Sequence, residues 1–362
     1  MRALVVLTQP PLPEGGAPGK TGIGLLRGLA SHGLEVRAIA ARRAFSVPGD
    51  VPADLPVELV DVEPPGPLRA RLQRLRRPLG ELTGAFAERV RAAAADADVV
   101  HLEETETVWC GEGVDRPSLV HFHYRVRRDR GFGPPWSRQF REVLDCVRAE
   151  QAAIRRHRHL VASSPLVADE LRKRAPRAEV VLAPLSLDPA LYRPAPLDGP
   201  PTAGLIGTAG WPPTKAAIDL LLRKVWPEVR RRVPDARLVL AGRGTEDLGL
   251  GEVPSASELF QRFSVLLFPL PRGSGMKVKV LEALASGVPV VTTPAGAEGI
   301  ADNDGVLVHG SPKKLAAMAA DLLLDERARR ERGAAARETF EHHYSPAPAT
   351  EPLVELYGRM AK

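Results

Sequence analysis

The sequence predicts an α/β protein built from two doubly wound parallel sheets, and three observations carry that prediction. Short β-branched runs alternate with helical patterns along the chain, the pattern of parallel strands joined by crossover helices. A Pro-rich stretch, Arg193-Pro-Ala-Pro-Leu-Asp-Gly-Pro-Pro201, interrupts the alternation, which then restarts. The chain has 362 residues, more than the roughly 250–300 at which single cores stop growing.

Ala3–Leu7 is the first strand, followed by a Pro/Gly loop, a helix over Thr21–His32 closed by Gly33, and a strand over Glu35–Ala40. Further strands fall at Val57–Val60, Val99–Leu102, Leu119–Phe122, Leu160–Ala162 and Val180–Leu182. After the Pro-rich stretch come strands at Ala203–Ile206, Arg237–Ala241, Val265–Phe268 and Val288–Thr292. Helices are expected at Ala216–Val233, Glu258–Arg262, Met276–Ala285, Pro312–Asp325 and Glu326–His342. Ser345-Pro-Ala-Pro348 breaks the pattern before a last helix over Glu351–Met360. The expected domains are therefore 1–193 and 194–345, with 346–362 as a terminal helix.

Composition narrows the function. Hydrophobic residues make up 44% and charged residues 26%, which excludes a disordered chain. No apolar run approaches the ~20 residues that span a bilayer. Two cysteines, Cys110 and Cys146, are too few for a disulfide framework, so a cytoplasmic protein is expected. The net charge of +6 is concentrated in residues 1–193, with 29 Lys+Arg against 24 Asp+Glu. Of the basic residues 41 are Arg and 9 are Lys, so high-GC coding bias accounts for much of the excess. With 5% aromatics and no recognition motif, nucleic acid is not expected as a partner.

Gly15-Gly16-Ala-Pro-Gly19-Lys20-Thr21 approaches a phosphate-binding P-loop, but the position that needs the first glycine is Glu14. What remains is a glycine pair that lets backbone approach a ligand, or a plain surface loop. The run from Phe268 to Val291 is more informative. It reads strand, Gly273-Ser274-Gly275 loop, helix, Gly287 stop, strand. Ser274 is the expected N-cap. Lys277 and Lys279 then fall in the first turn and a half, where the helix dipole disfavours cations. Either an anion such as a diphosphate meets them there, or both are solvated and Glu282 pairs with Lys279.

Lys277-Val-Lys279-Val-Leu-Glu282-Ala-Leu-Ala-Ser-Gly287-Val-Pro-Val-Val resembles the donor-site motif of family-4-like retaining glycosyltransferases. Gly204-Leu-Ile-Gly207 with Lys215, Pro234–Gly244, Leu250–Val253 and Pro294–Ile300 are similar to further segments of that family, in the same order. The resemblance implies a GT-B architecture of two Rossmann-like domains facing across a cleft, the last helix crossing back to the N-domain. It implies a nucleotide-sugar donor held through Gly16, Thr208, Arg243, Glu252, Val253, Ser274, Gly275, Met276, Lys277 and Glu282. Lys215 and Lys279 would stabilise the leaving diphosphate, and Glu282 would accept from ribose hydroxyls.

Asp98-Val-Val-His101 and Pro117-Ser-Leu-Val-His121-Phe-His123 resemble N-domain segments of the family, which places its active-site histidine on His123. His121 is expected on the opposite face of the strand, in a structural role. Arg125 and Arg127 follow His123 and are the expected acceptor contacts. The family's usual glutamate is Ser274 here, and its second phosphate base is Thr208. No metal or cofactor is expected, because Asp96-Ala-Asp98 and Asp302-Asn-Asp304 are misplaced for one and basic groups take that role in this fold.

The expected function is thus glycosyl transfer, with retention of configuration, to a small-molecule acceptor in the specialised metabolism of a high-GC actinobacterium. The alternatives are a cell-envelope or lipid-linked acceptor, a pseudo-glycosyltransferase, a nucleotide-sugar epimerase and a non-catalytic partner of the same fold. The reading leaves room for a homodimer and for peripheral membrane contact.

Overall fold

The computed structural model describes residues 1–44 and 46–362, the side chains of Pro67 and Arg69 excepted. The chain divides into two compact units, Met1–Ser186 with Pro346–Lys362, and Leu187–Ser345. The division falls ahead of the Pro-rich stretch, which lies inside the second unit. Among the described residues no helix is long and apolar enough to cross a membrane.

The first unit holds β1 (Arg2–Leu7), β2 (Glu35–Arg42), β3 (Val57–Asp61), β4 (Val99–Glu103), β5 (Ser118–Phe122), β6 (His159–Ala162) and β7 (Glu179–Leu182). They form one parallel sheet ordered β3-β2-β1-β4-β5-β6-β7. Around it lie α1 (Ala17–Ser31), α2 (Pro67–Arg76), α3 (Ala85–Ala94), α4 (Val126–Asp129), α5 (Arg138–Arg156) and α6 (Pro165–Arg174). The central strands are apolar because helices cover both sheet faces. Leu4, Val6, Val100, Leu102, Val120 and Phe122 enter one core with Phe86 and Val90. α1 starts directly after Gly16, four residues before the expected Thr21.

The second unit holds β8 (Thr202–Ile206), β9 (Arg237–Ala241), β10 (Val265–Phe268), β11 (Val290–Thr292) and β12 (Val306–Val308), ordered β12-β11-β10-β8-β9. Its helices are α7 (Pro212–Leu220), α8 (Trp226–Arg232), α9 (Ala256–Phe260), α10 (Val278–Ala285), α11 (Pro312–Leu324) and α12 (Glu326–His343). The single helix expected over Ala216–Val233 is interrupted by a π-turn at Leu221–Val225. Pro227, in the first turn of α8, has no N–H to donate, and the wider turn accommodates its ring. β12 is three residues long, too short for an alternating pattern to announce it.

Arg329 shows how a buried charge serves this unit. It is 4% exposed, and its guanidinium donates to the carbonyls of Leu197 (3.2 Å), Leu322 (3.0 Å) and Leu323 (2.9 Å). The last two are carbonyls at the end of α11, which the helix itself leaves unpaired. Arg329→Met keeps the bulk and removes the donors, so it is expected to cost roughly 2–3 kcal/mol. Urea unfolding followed on the second unit's tryptophans checks this, and an unchanged midpoint would refute it.

The terminal helix α13 (Pro346–Met360) belongs to the first unit and packs on α1. It begins at Pro346 rather than at Glu351. Pro346 and Pro348 sit in its first turn, where a missing N–H removes no helical bond.

Candidate functional site

In doubly wound sheets ligands gather beyond the carboxyl ends of the strands, where the strand order reverses. That point lies between β8 and β10 in the second unit and between β1 and β4 in the first. Each carries a concentration of polar side chains.

In the second unit, Gly207 follows β8 with φ +159° and Gly242 follows β9 with φ +118°. The two loops touch: Ala209 N–H donates to the Arg243 carbonyl at 2.8 Å, and a Cβ on Gly242 would fall onto the Gly207 backbone. A Cβ on Gly207 would lie 2.5 Å from the Lys279 ammonium. The missing side chain at Gly207 leaves room for that cation against the backbone. Lys279 is seated by the Thr214 hydroxyl at 3.1 Å and by the face of Phe268, 4.6 Å from the ring centre. Burial pushes its pKa down to about 8, with Glu282 opposing the shift and Lys277 adding to it.

Helix α10 starts at Val278 with Lys277 as N-cap. Ser274 is not the cap: it is buried in the preceding loop, and Gly275, at φ +72°, turns the chain before the helix begins. The Lys277 ammonium folds back onto the carbonyls of Ser274 at 2.9 Å and Gly275 at 2.5 Å. The loop thus supplies local acceptors for Lys277, while Lys279 lies deeper. Met276 is buried. Glu282 accepts from the Tyr192 hydroxyl at 3.1 Å. Arg243 and Glu252 form an exposed pair at 3.0 Å. Lys215 and Thr208 are exposed, and Val253 is half-buried.

Thr214 and Tyr192 carry no motif signal, and only the folded chain brings them to Lys279 and Glu282. Among the motif residues, Arg243 and Glu252 meet each other, and Lys279 and Glu282 share a face of α10.

In the first unit, β4 and β5 pair with Glu103 opposite His121. Side chains two apart on a strand share a face, and paired residues of a parallel ladder point the same way. His101, Glu103, His121 and His123 therefore face one side together, so His121 is not turned away from His123. Glu103 Oε2 accepts from His123 Nε2 at 2.5 Å and Oε1 from His121 Nδ1 at 2.9 Å. His101 Nε2 comes within 2.8 Å of Oε1, and His101 Nδ1 meets the Tyr357 hydroxyl of α13.

Burial would raise the Glu103 pKa, but His121 and His123 hold it well below the usual carboxylate range. Burial carries His121 down to about 4 despite Glu103. For His123, burial is outweighed by Glu103 and Glu104, which lift it to about 8. Two polar-apolar-polar triplets, His101-Leu-Glu103 and His121-Phe-His123, on strands that should be apolar were the available sequence signal for Glu103.

His101, Glu103 and His121 could chelate a cation, their ligand atoms lying within 4.8 Å of one another. The O–N separations of 2.8 and 2.9 Å are nonetheless hydrogen-bond lengths. Ligands 2.0–2.1 Å from a tetrahedral ion stand about 3.3 Å apart.

Glu104 follows β4 with φ +62° and accepts from the Thr8 hydroxyl at 2.8 Å. A pocket beside His123 is lined by Glu104, Thr105, Glu106, Tyr124, Cys146 and Glu150. Arg125 does not open to solvent. It is 4% exposed and pairs with Glu150 at 3.1 Å and Glu170 at 3.5 Å, so a role in capturing an anionic acceptor does not fit it. Arg127 is exposed and stacks over Phe132 at 5.8 Å. Gly16 is the N-cap of α1, and a Cβ there would meet nothing closer than 3.9 Å.

Residues 200–325 match the family model for glycosyl transferases group 1. No curated protein matches the chain in sequence. Sucrose-phosphate synthase from Thermosynechococcus elongatus is similar in structure, with TM-score 0.69, 15% identity and 99% of each chain covered. Anabaena HepE in complex with UDP-glucose aligns with TM-score 0.64 and 16% identity, covering 99% of this chain and 100% of that one. A variant of S. aureus TarM in complex with fondaparinux, α-GlcNAc-glycerol and UDP gives TM-score 0.69 and 11% identity, covering 98% and 99%.

Proposed function

We propose that this chain, whose residues 200–325 match a group 1 glycosyltransferase model and whose fold is that of its GT-B structural neighbours, is an enzyme that moves a sugar from a nucleoside diphosphate sugar to a small-molecule acceptor, with retention of configuration. The observation that carries the reading is the Lys279 ammonium. It is half-buried against Phe268, Thr214 and the Gly207 turn at the strand-order reversal. A cation drawn partly out of water at such a point gains from an anion, and the departing diphosphate is that anion.

Lys279, with the more exposed Lys215, neutralises charge that develops on the leaving oxygen. Glu282, held by Tyr192, receives the ribose hydroxyls, and the backbone around Glu252 and Val253 takes the base. Gly16, Thr208, Arg243 and the Ser274–Lys277 loop complete the donor's surroundings. His123 contacts the transferred sugar. The leaving phosphate oxygen takes the acceptor proton on the face it departs from, so configuration is retained without a carboxylate nucleophile, and basic groups serve where other enzymes use a divalent cation.

Calorimetric titration with UDP, GDP, ADP and TDP tests the donor half. UDP comes first, because HepE and TarM are similar structures solved with it. One nucleotide is expected to bind at micromolar strength. Glu282→Ala, which removes a charged acceptor, is expected to weaken it roughly 10–100-fold. Binding of none by the folded protein would replace this reading with a non-catalytic one.

A further inference from the structure

Strands β4 and β5 are covered on both faces, yet one face carries three histidines and a glutamate where apolar side chains belong. Buried polar groups of this kind demand partners, and the partners here form a directed chain. Burial, then the Glu103 charge, hold the Tyr357 phenol well above its ordinary pKa. It keeps its proton and donates to His101 Nδ1. The His101 proton then resides on Nε2, which lies 2.8 Å from Glu103 Oε1 as a close polar contact rather than an aligned hydrogen bond. His121 bonds Glu103 through Nδ1, and its Nε2 has no hydrogen-bond partner, so it is the neutral Nδ1–H tautomer. His123 is left as the imidazole that carries the balancing charge.

We propose that Glu103 is a positioning residue for His123, and that the chain Tyr357–His101–Glu103–His123 makes the C-terminal helix α13 part of the machinery that keeps this imidazole oriented and protonated. The inference rests on the placement of His123 at the transfer site. His123 Nε2 is committed to Glu103, while Nδ1 stands 3.6 Å from Glu104 Oε1 and provides the second N–H. The titratable groups facing His123 are Glu103 and Glu104 at the end of β4 and His121 on β5. Glu106, Tyr124 and, from α5, Cys146 and Glu150 line the same pocket. Burial raises the Glu106 and Glu150 carboxyls and the Tyr124 phenol and lifts the Cys146 thiol to about 11. Glu103 and Glu104 are therefore the anions that hold the His123 proton.

The test follows the ring itself, because His123 and Lys279 both titrate near pH 8 and activity alone would not separate them. The full chain is labelled at histidine, the His123 resonance is assigned with His123→Asn, and spectra are recorded from pH 6 to 10. Wild-type His123 is expected to titrate at about 8. In Glu103→Gln the midpoint is expected to fall by a unit or more, with kcat/KM lower by roughly 10–100-fold, the usual effect of losing such a support. Tyr357→Phe deletes one hydroxyl and is expected to move the midpoint the same way by less; it carries the test if Glu103→Gln does not fold. A His123 midpoint unmoved in either folded variant overturns the chain. Midpoints that move as expected while His123→Asn still transfers sugar at the wild-type rate sustain the chain and remove His123 from the transfer site instead.

Discussion

Lys279→Ala is expected to lower sugar-transfer turnover by ~10²-fold or more, the usual order for deleting a donor that meets developing negative charge. The ammonium is already half-buried, seated by Thr214 and Phe268, and pressed against the Gly207 turn, so little reorganisation remains when the leaving group departs. Its pKa of about 8 adds a second expectation. A bound diphosphate favours the cation, so binding near pH 8 takes up about half a proton per nucleotide, and affinity declines as pH rises above that value. Calorimetry in two buffers of different ionisation enthalpy measures this uptake, which is expected to vanish in Lys279→Ala. In the ligand-free protein the sign for stability is set by a lysine pKa depressed below 10.5. The buried charge costs stability below about pH 8. Between about 8 and 10.5 the unfolded chain still binds the proton that the folded one has lost, so stability recovers across that window. Lys279→Met is therefore expected to raise the unfolding midpoint at pH 7 while lowering turnover as Lys279→Ala does. Turnover near wild type would end the assignment of Lys279.

What the sequence disclosed and what it hid divide along a physical line. The strands of both sheets, with β12 excepted, and the Lys279–Glu282 helix are legible because each is written in local periodicity, glycine placement and residue order. Thr214, Tyr192 and Tyr357 are not, because their partners lie 65, 90 and 256 residues away and no local pattern encodes such a distance, while Glu103 is marked only by polar triplets that do not name its partner 20 residues on. Ser274 misleads for a different reason: a serine just ahead of the expected helix fits the capping preference, but Gly275 at φ +72° delays the helix to Val278 and leaves Lys277 as its N-cap. His121 was misassigned despite a rule that places it correctly, since two residues along a strand return to the same face. Arg125 reads as an exposed cation in a basic run, and only the carboxylates of Glu150 and Glu170 reveal that it points inward.

Gly28→Val is expected to destabilise the first unit severely. Gly24 and Gly28 stand four apart on α1, on one face of the helix. A Cβ on Gly24 would lie 2.6 Å from the Ser186 carbonyl. On Gly28 it would run into the Pro346 carbonyl and come 2.6 Å from Thr350. Two of these obstacles are backbone, which cannot rotate aside as a side chain does, so overpacking is expected to cost about 3 kcal/mol, near the top of the usual range. The cheapest relief is separation of α13 from α1. Amide exchange over residues 346–362 is expected to accelerate, and the Tyr357–His101 contact is expected to go with it, so the His123 titration should drop as in Tyr357→Phe. Gly358→Ala is the control on α13 itself. A Cβ there meets nothing within 4 Å, and alanine in a helix is favoured over glycine by up to about 1 kcal/mol. If Gly28→Val unfolds at the wild-type midpoint with α13 protected, α1 tolerates a wider spacing than its two glycines imply, and the close seat of α13 is not what holds Tyr357 on His101.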